Sequence, residues 1–211
     1  MDTGKRPWLK VGVFGACLSP LVVLAWQALT HNLGANPIDE ITDQTGIWTL
    51  RLLLITLAVT PARRLTGWNR LIQLRRMLGL LAFCYGCLHF LTYFWLDQFF
   101  VLEDIIADVM ERPFITVGFA SFALLIPLAV TSTTAMIKRL GGKWWQRLHR
   151  LVYAIAIGGV VHYLWLVKAD IQQPLLYGGI LGVLLVYRFW DMYGRRLLAG
   201  ITPLRKAAVR R

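Results

Sequence analysis

The stretch that decides the fold is MLGLLAFCYGCLHFLTYFWL, residues 77–96. It runs for 20 residues without Asp, Glu, Lys or Arg, with Arg75 and Arg76 before it and Asp97 after it. A helix of about 20 apolar residues is what the hydrocarbon core of a bilayer requires. Working outward, five further segments read the same way: about 9–29, 47–65, 114–134, 148–168 and 174–193. The predicted fold class is therefore all-α, a bundle of six transmembrane helices forming one domain over residues 1–211. The longest piece outside the spans is the tail 194–211. It is too short for a nucleotide-binding domain, since a single βαβ unit takes roughly 30 residues.

Composition agrees. Hydrophobic residues make up 57% of the 211 and charged residues 16%, against about 25% charged in soluble domains. A soluble globular protein, a disordered chain and a disulfide scaffold are excluded on these grounds. The three cysteines, Cys17, Cys84 and Cys87, lie inside apolar runs and read as small packing residues. The first span follows Lys5, Arg6 and Lys10. It is longer than the 7–15 residues of a signal h-region and lacks a small-residue cleavage site, so it reads as a retained helix.

The net charge of +12 invites a nucleic-acid reading, which the placement of the charges removes. Basic residues gather at four places: Lys5, Arg6 and Lys10; then Arg63, Arg64, Arg70, Arg75 and Arg76; then Lys138, Arg139, Lys143, Arg147 and Arg150; then Arg188, Arg195, Arg196, Arg205, Lys206, Arg210 and Arg211. In a six-span chain all four fall on one side. The other side keeps Arg112 and Lys168, together with Asp39, Glu40, Asp43, Asp97, Glu103, Asp104, Asp108, Glu111 and Asp170. Lys and Arg concentrate on the cytoplasmic side of membrane proteins, so both termini are predicted to be cytoplasmic. The basic face is then the inner membrane rim, where anionic lipids attract it. Seven tryptophans near span ends, Trp8, Trp48, Trp68, Trp95, Trp144, Trp145 and Trp190, read as an interfacial belt. No internal repeat emerges from the sequence.

Of the four histidines, His31 reads as a solvated loop residue. The others lie in spans or at their edge, where ionisable residues are rare and usually functional. At about 1.5 Å per residue, His89 lies roughly 18 Å and His162 roughly 21 Å from the inner face. Two neutral imidazoles at one level on two helices can ligate a b-type haem iron from both sides. The plainer reading is a hydrogen bond from each to a neighbouring helix. His149, at the inner boundary, has three readings: a second haem with an unusual partner, a contact to a flavin, or a helix-start cap. Arg51, inside span 2, either snorkels or pairs with a haem propionate. Arg75 and Arg76 either follow from topology alone or hold a flavin phosphate or inner propionate. Cys84-Tyr-Gly-Cys87-Leu-His89 departs by one residue from the c-type attachment motif. No side chain is singled out as catalytic.

The stretch from Arg75-Arg76-Met77-Leu78-Gly79-Leu80 to Leu88-His89-Phe90 and Tyr93 resembles the third helix of the MsrQ family. Leu140-Gly-Gly-Lys-Trp-Trp-Gln-Arg-Leu-His149-Arg-Leu-Val-Tyr153, then His162-Tyr-Leu-Trp165, resembles its fifth. Leu33-Gly-Ala-Asn-Pro37 and Thr45-Gly46 resemble its outer loop before span 2, and Thr131-Ser-Thr133 with Ala135-Met136 resembles the end of its span 4. The wider group is the ferric-reductase-like transmembrane domain. The resemblance implies an electron-carrying subunit of the bacterial inner membrane with haem b and, in this family, FMN. Its donor would be the quinol pool or a cytosolic flavin reductase. Its acceptor would be MsrP, a periplasmic molybdopterin enzyme that repairs oxidised methionine in envelope proteins. His89 and His162 would be the axial haem ligands and His149 a further implicated residue. The alternatives are a free-standing transmembrane ferric reductase and a non-redox transporter or scaffold with structural histidines.

Overall fold

The computed structural model describes residues 7–167 and 169–194. Lys5, Arg6, Lys168, Arg195, Arg196, Arg205, Lys206, Arg210 and Arg211, and most of the tail 194–211, lie outside the described residues. Among those described there is helix and no strand. The elements are α1 Pro7–Leu29, α2 Pro37–Thr66, a 3₁₀ segment Asn69–Leu74, α3 Arg75–Leu91, α4 Leu102–Glu111, α5 Pro113–Val130, α6 Thr134–Leu140, α7 Gly142–His149, α8 Leu151–Leu166 and α9 Gln172–Phe189. α3 runs on into a π-helical turn, Thr92–Asp97, and α9 into another, Trp190–Gly194.

Among the described residues five helices are long and apolar enough to cross a membrane: Trp8–Leu29, Pro37–Thr66, Asn69–Asp97, Pro113–Val130 and Gln172–Met192. The expected span 148–168 has a different form. The chain turns at Arg150, whose N–H reaches back to the Arg147 carbonyl, and α8 then keeps only 16 residues. The cause is local: Lys143, Arg147, His149 and Arg150 crowd the start with charge and polarity, and apolar helix begins after them.

Local chemistry sets the other ends. Pro37 opens α2 where a missing N–H costs nothing. Asn36 donates to the Asp39 carboxylate at 2.6 Å. Asp39 and Glu40 lie in the first turn and Arg63 and Arg64 in the last, each matched to the helix dipole. This polar start extends α2 ten residues beyond the expected 47–65. Gly67, at φ 70°, ends it in the left-handed conformation. The connection 97–113, expected as a loop, carries the amphipathic α4. Ile105 is its buried residue, while Leu102, Ile106 and Met110 are exposed.

The centre of the molecule is built by α2, α3, α5 and α8. Leu52, Leu78, Ala82, Tyr85, Ile155 and Ala156 are almost fully buried there. α9 packs on α8 and α2, and α1 lies outside α2, tied by the Tyr85 hydroxyl donating to the Cys17 carbonyl at 2.7 Å. Val22, Val23, Trp26, Val183, Val186 and Phe189 are outward and exposed, as lipid-facing positions are. Two of the seven expected belt tryptophans are half-buried and also brace the protein. Trp48 meets Tyr85 at a tilt with ring centres 6.3 Å apart, and Trp145 donates to the Thr131 carbonyl at 2.9 Å.

Candidate functional site

His89 on α3 and His162 on α8 face each other with ring centres 6.1 Å apart and planes at 79°. Each ring is oriented by a carbonyl on the adjoining helix. His89 Nδ1 lies 2.9 Å from the Thr42 carbonyl oxygen, and His162 Nδ1 lies 2.7 Å from that of Phe114. Only an N–H can bond a carbonyl, so Nδ1 carries the proton in both rings. Nε2 of each then carries the lone pair. A fixed Nδ1–H···O=C bond is the usual support of a metal-ligating histidine.

Glycine makes room for both rings. A Cβ on Gly46 of α2 would sit 2.9 Å from His89 Cε1, and one on Gly118 of α5 would sit 2.8 Å from His162 Nδ1. Both distances are shorter than real side chains tolerate, so any larger residue would drive the rings from their seats. On the other side, Gly86 and Gly159 each lie three residues before a histidine and let neighbouring helices approach; Gly86 faces Leu125, Phe122 and Thr49.

The rings line an apolar cavity among α2, α3, α5 and α8, with about 1060 Å³ of space between atoms, part of it open at the mouth. Leu50, Leu53, Phe90, Phe119, Phe122 and Ile155 form much of its wall. Asp43, Tyr93 and Tyr163 stand at its outer end. Aromatic rings continue outward from it. Phe122 stacks on Phe90 at 4.8 Å, Phe90 on Phe94 at 5.7 Å, and Phe94 meets Phe100 edge-on at 5.2 Å. Phe99 and Phe100, both exposed, have φ of 47° and 62°, rare for bulky residues.

The donor set fits a haem better than a bare ion. Among the described residues no three of His, Cys, Asp and Glu converge. Two imidazoles with free Nε2 atoms are what an iron already held by a porphyrin needs. Two nitrogens about 2 Å from one metal put their ring centres about 6 Å apart, and the observed spacing is 6.1 Å.

The other expected site residues lie off this cavity. Arg51 Nε donates to the Tyr177 hydroxyl at 2.8 Å, and its guanidinium lies over the Trp48 ring at 4.9 Å. Tyr177 in turn touches Tyr163 of the cavity at 6.3 Å, so Arg51 is one ring removed from the mouth. His149 ends α7, with Nε2 3.1 Å from Thr131 Oγ1 and its ring stacked on Trp145 at 4.0 Å. The Thr131 hydroxyl donates to the Pro127 carbonyl at 2.6 Å, so it accepts from His149. Arg76 is exposed, and Arg75 is half-buried in a second pocket. His31 is exposed at φ 55°. Sequence reasoning did not find Gly46, Gly118 or the two accepting carbonyls. The one signal present was Gly-x-x-His, occurring as Gly86 to His89 and again as Gly159 to His162.

Comparison with known proteins gives one consistent result. Residues 45–160, which contain His89 and end two residues before His162, match the family described as ferric reductase like transmembrane component. A protein of Herminiimonas arsenicoxydans named protein-methionine-sulfoxide reductase heme-binding subunit MsrQ is 55% identical over 93% of each chain. Proteins of the same name from Azospira oryzae and Caulobacter vibrioides are 54% and 48% identical. They cover 93% and 90% of this chain and 84% and 90% of their own lengths. With likeness of this degree running through almost all of both chains, and through the helices that carry the histidine pair, the chain belongs to the MsrQ family of ferric reductase like transmembrane components.

Proposed function

We propose that this protein is a b-type cytochrome subunit that carries electrons across the bacterial inner membrane to a periplasmic molybdopterin methionine sulfoxide reductase, MsrP. The observation that carries this reading is the pair of Nδ1-anchored histidines, 6.1 Å apart across an apolar cavity. In this proposal His89 and His162 would hold the haem iron through their Nε2 atoms. The names of the similar proteins, which call each a heme-binding subunit, support it. Haem, when bound, supplies the one-electron carrier. The chain supplies two fixed neutral ligands, glycine seats that hold them at one height, and a wall that excludes water. A dry, apolar surround and ligand identity are the protein's means of tuning a haem potential.

The whole chain, 1–211, is one transmembrane domain in this reading, with six crossings and both termini cytoplasmic. α8 with the inner turn before it makes the fifth crossing. The acids at the start of α2 and on α4, and the bases at the end of α2 and start of α3, support the orientation. Electrons enter at the inner face from quinol or a cytosolic flavin reductase. Arg75, Arg76 and His149 lie at that face and are the candidate contacts for an FMN phosphate and ring, or, for the two arginines, an inner haem propionate. Arg51 is the cation nearest the outer mouth on α2; it reaches a haem carboxylate only by giving up Tyr177.

The test is a dithionite-reduced minus oxidised spectrum of the purified protein and three variants. A b-type band is expected in wild type and in His149→Ala, and its loss in His89→Ala and His162→Ala. A folded wild type without haem would overturn the proposal in favour of a scaffold. Turnover of ferric chelates without any partner protein would favour the free-standing reductase.

A further inference from the structure

Between the π-helical turn Thr92–Asp97 and α4, residues 98–101 form a knuckle. Phe99 and Phe100 stand out from it, 73% and 52% exposed, at φ of 47° and 62°. Bulky side chains avoid this left-handed region, and a backbone held there against its preference clusters at functional sites. The knuckle is firmly tied. The Gln98 and Phe100 N–H groups donate to the Tyr93 and Phe94 carbonyls, both at 3.0 Å, and the Val101 N–H donates to the Gln98 carbonyl at 2.8 Å. The Gln98 side chain donates to the Asp108 carboxylate at 3.0 Å, which also accepts from Tyr93 at 3.3 Å and from Arg112 at 3.2 Å.

The knuckle is joined to the histidine cavity by packing. Phe122 and Phe90 line the cavity, Phe94 stacks on Phe90, and Phe100 meets Phe94 edge-on. A packed path of rings thus leads from the cavity wall to an exposed side chain. Electron tunnelling falls off steeply with distance and more steeply across voids than through packed atoms, so such a path favours transfer outward. Exposed acids flank the two rings, Asp97 before them and Glu103 and Asp104 after them. Sinking the pair into the outer leaflet would draw these carboxylates toward hydrocarbon, which is costly. A small apolar centre inside a polar rim is the make-up of a protein–protein contact, and electron-transfer encounters are among the smallest of these.

We propose that Phe99 and Phe100 form the docking contact at which a soluble redox protein, with an apolar patch ringed by Lys and Arg, receives electrons. This rests on the electron-carrier reading above and names the surface which that reading leaves open. Phe99, the more exposed ring, meets the partner, and Phe100 joins the contact to the ring path. The acids on either side supply the charged rim that steers a basic partner into register. One electron passes from the reduced haem to the partner's acceptor centre, with no bond made or broken and no proton moved at the knuckle.

Stopped-flow oxidation of the full-length, haem-loaded protein in phosphatidylcholine nanodiscs tests this, with MsrP and ferricyanide as separate oxidants. Asn tolerates the left-handed region, so Phe99→Asn and Phe100→Asn are expected to keep the wild-type haem band and a Tm no lower than that of wild type. In Phe99→Asn the half-saturating MsrP concentration should rise at least ~fivefold, as on loss of a central aromatic anchor. Its oxidation by ferricyanide, which needs no docking, should be unchanged. In Phe100→Asn, which also interrupts the ring path, the limiting rate with MsrP should fall. Should Asn disturb the haem band, Phe99→Gly, equally suited to a positive φ, takes its place. MsrP kinetics unchanged in both variants would overturn the proposal and leave the pair to outer-leaflet lipid. Equal slowing of both oxidants in Phe99→Asn would also overturn it, by placing the change at the haem rather than at a docking surface. A haem-loaded wild type that MsrP does not oxidise would overturn the electron-carrier reading, and the proposal with it.

Discussion

Gly46 and Gly118 hold equivalent places in two halves of the molecule. Each lies four residues after the carbonyl that accepts a histidine Nδ1–H, Thr42 and Phe114 respectively, and each supports that histidine's ring from below. Three residues further on, Thr49 and Ser121 each donate a hydroxyl to the carbonyl four residues back, at 2.8 Å in both cases. Across the cavity, Gly86 precedes His89 as Gly159 precedes His162. The α2–α3 pair and the α5–α8 pair thus present the same seat to the space between them.

Replacing either seat glycine with alanine should therefore push a ring out of place. Such overpacking costs about 1–3 kcal/mol. Gly46→Ala and Gly118→Ala are expected to lower the haem-to-protein ratio and broaden the b-type band. Gly179→Ala on α9, where a new Cβ meets nothing within 4 Å, should leave both unchanged. Full haem content in Gly118→Ala would contradict the seat.

Tyr85 is 1% exposed, and its hydroxyl reaches the Cys17 carbonyl. Tyr85→Phe removes this hydrogen bond to a carbonyl inside α1, which costs about 1 kcal/mol. Because α1 makes few other contacts with the bundle, the loss should appear as faster protease cleavage near 30–36, with the haem spectrum intact.

Tyr177→Phe removes the acceptor of the Arg51 Nε–H. The guanidinium retains its place over Trp48, so the expected loss of stability is modest, about 1 kcal/mol, read as a small fall in Tm. Arg51→Ala removes the hydrogen bond and the guanidinium's contacts with the Trp48 and Tyr177 rings and should cost more. Equal Tm values for the two variants would show that the ring contacts contribute nothing.

In the proposed orientation the outer face carries Glu103, Asp104, Asp108 and Glu111 on one short helix, α4. A periplasmic partner docking there needs a basic patch. Its association rate should fall at least ~tenfold between 50 mM and 500 mM salt, as for steered encounters. Stopped-flow oxidation of the reduced protein by MsrP at two ionic strengths measures it, and a salt-independent rate would place the docking elsewhere.

Much of this architecture is legible in the sequence because a bilayer imposes a coarse rule: apolar runs of fixed length with asymmetric charge. The 77–96 run and the level match of His89 with His162 follow from that rule and a rise per residue. What escapes it depends on local competition. Asp39, Glu40 and Pro37 carry α2 beyond the apolar run, and clustered charge breaks the chain at Arg150. The amphipathic pattern of α4 is hidden between two stronger signals. The repeated seat is invisible as a repeat because its members are single glycines, backbone carbonyls and hydroxyls, spaced within helices of otherwise unrelated sequence.

The brevity of α8 has a mechanical result. Its 16 residues give about 24 Å of apolar length, against a hydrocarbon core of about 30 Å. Such hydrophobic mismatch is met by thinning the surrounding bilayer and by snorkelling of flanking cations, here Arg150 at the inner end. In the proposed topology Arg150 and the turn before it complete that crossing, so the purely apolar stretch is shortest in the helix that bears His162.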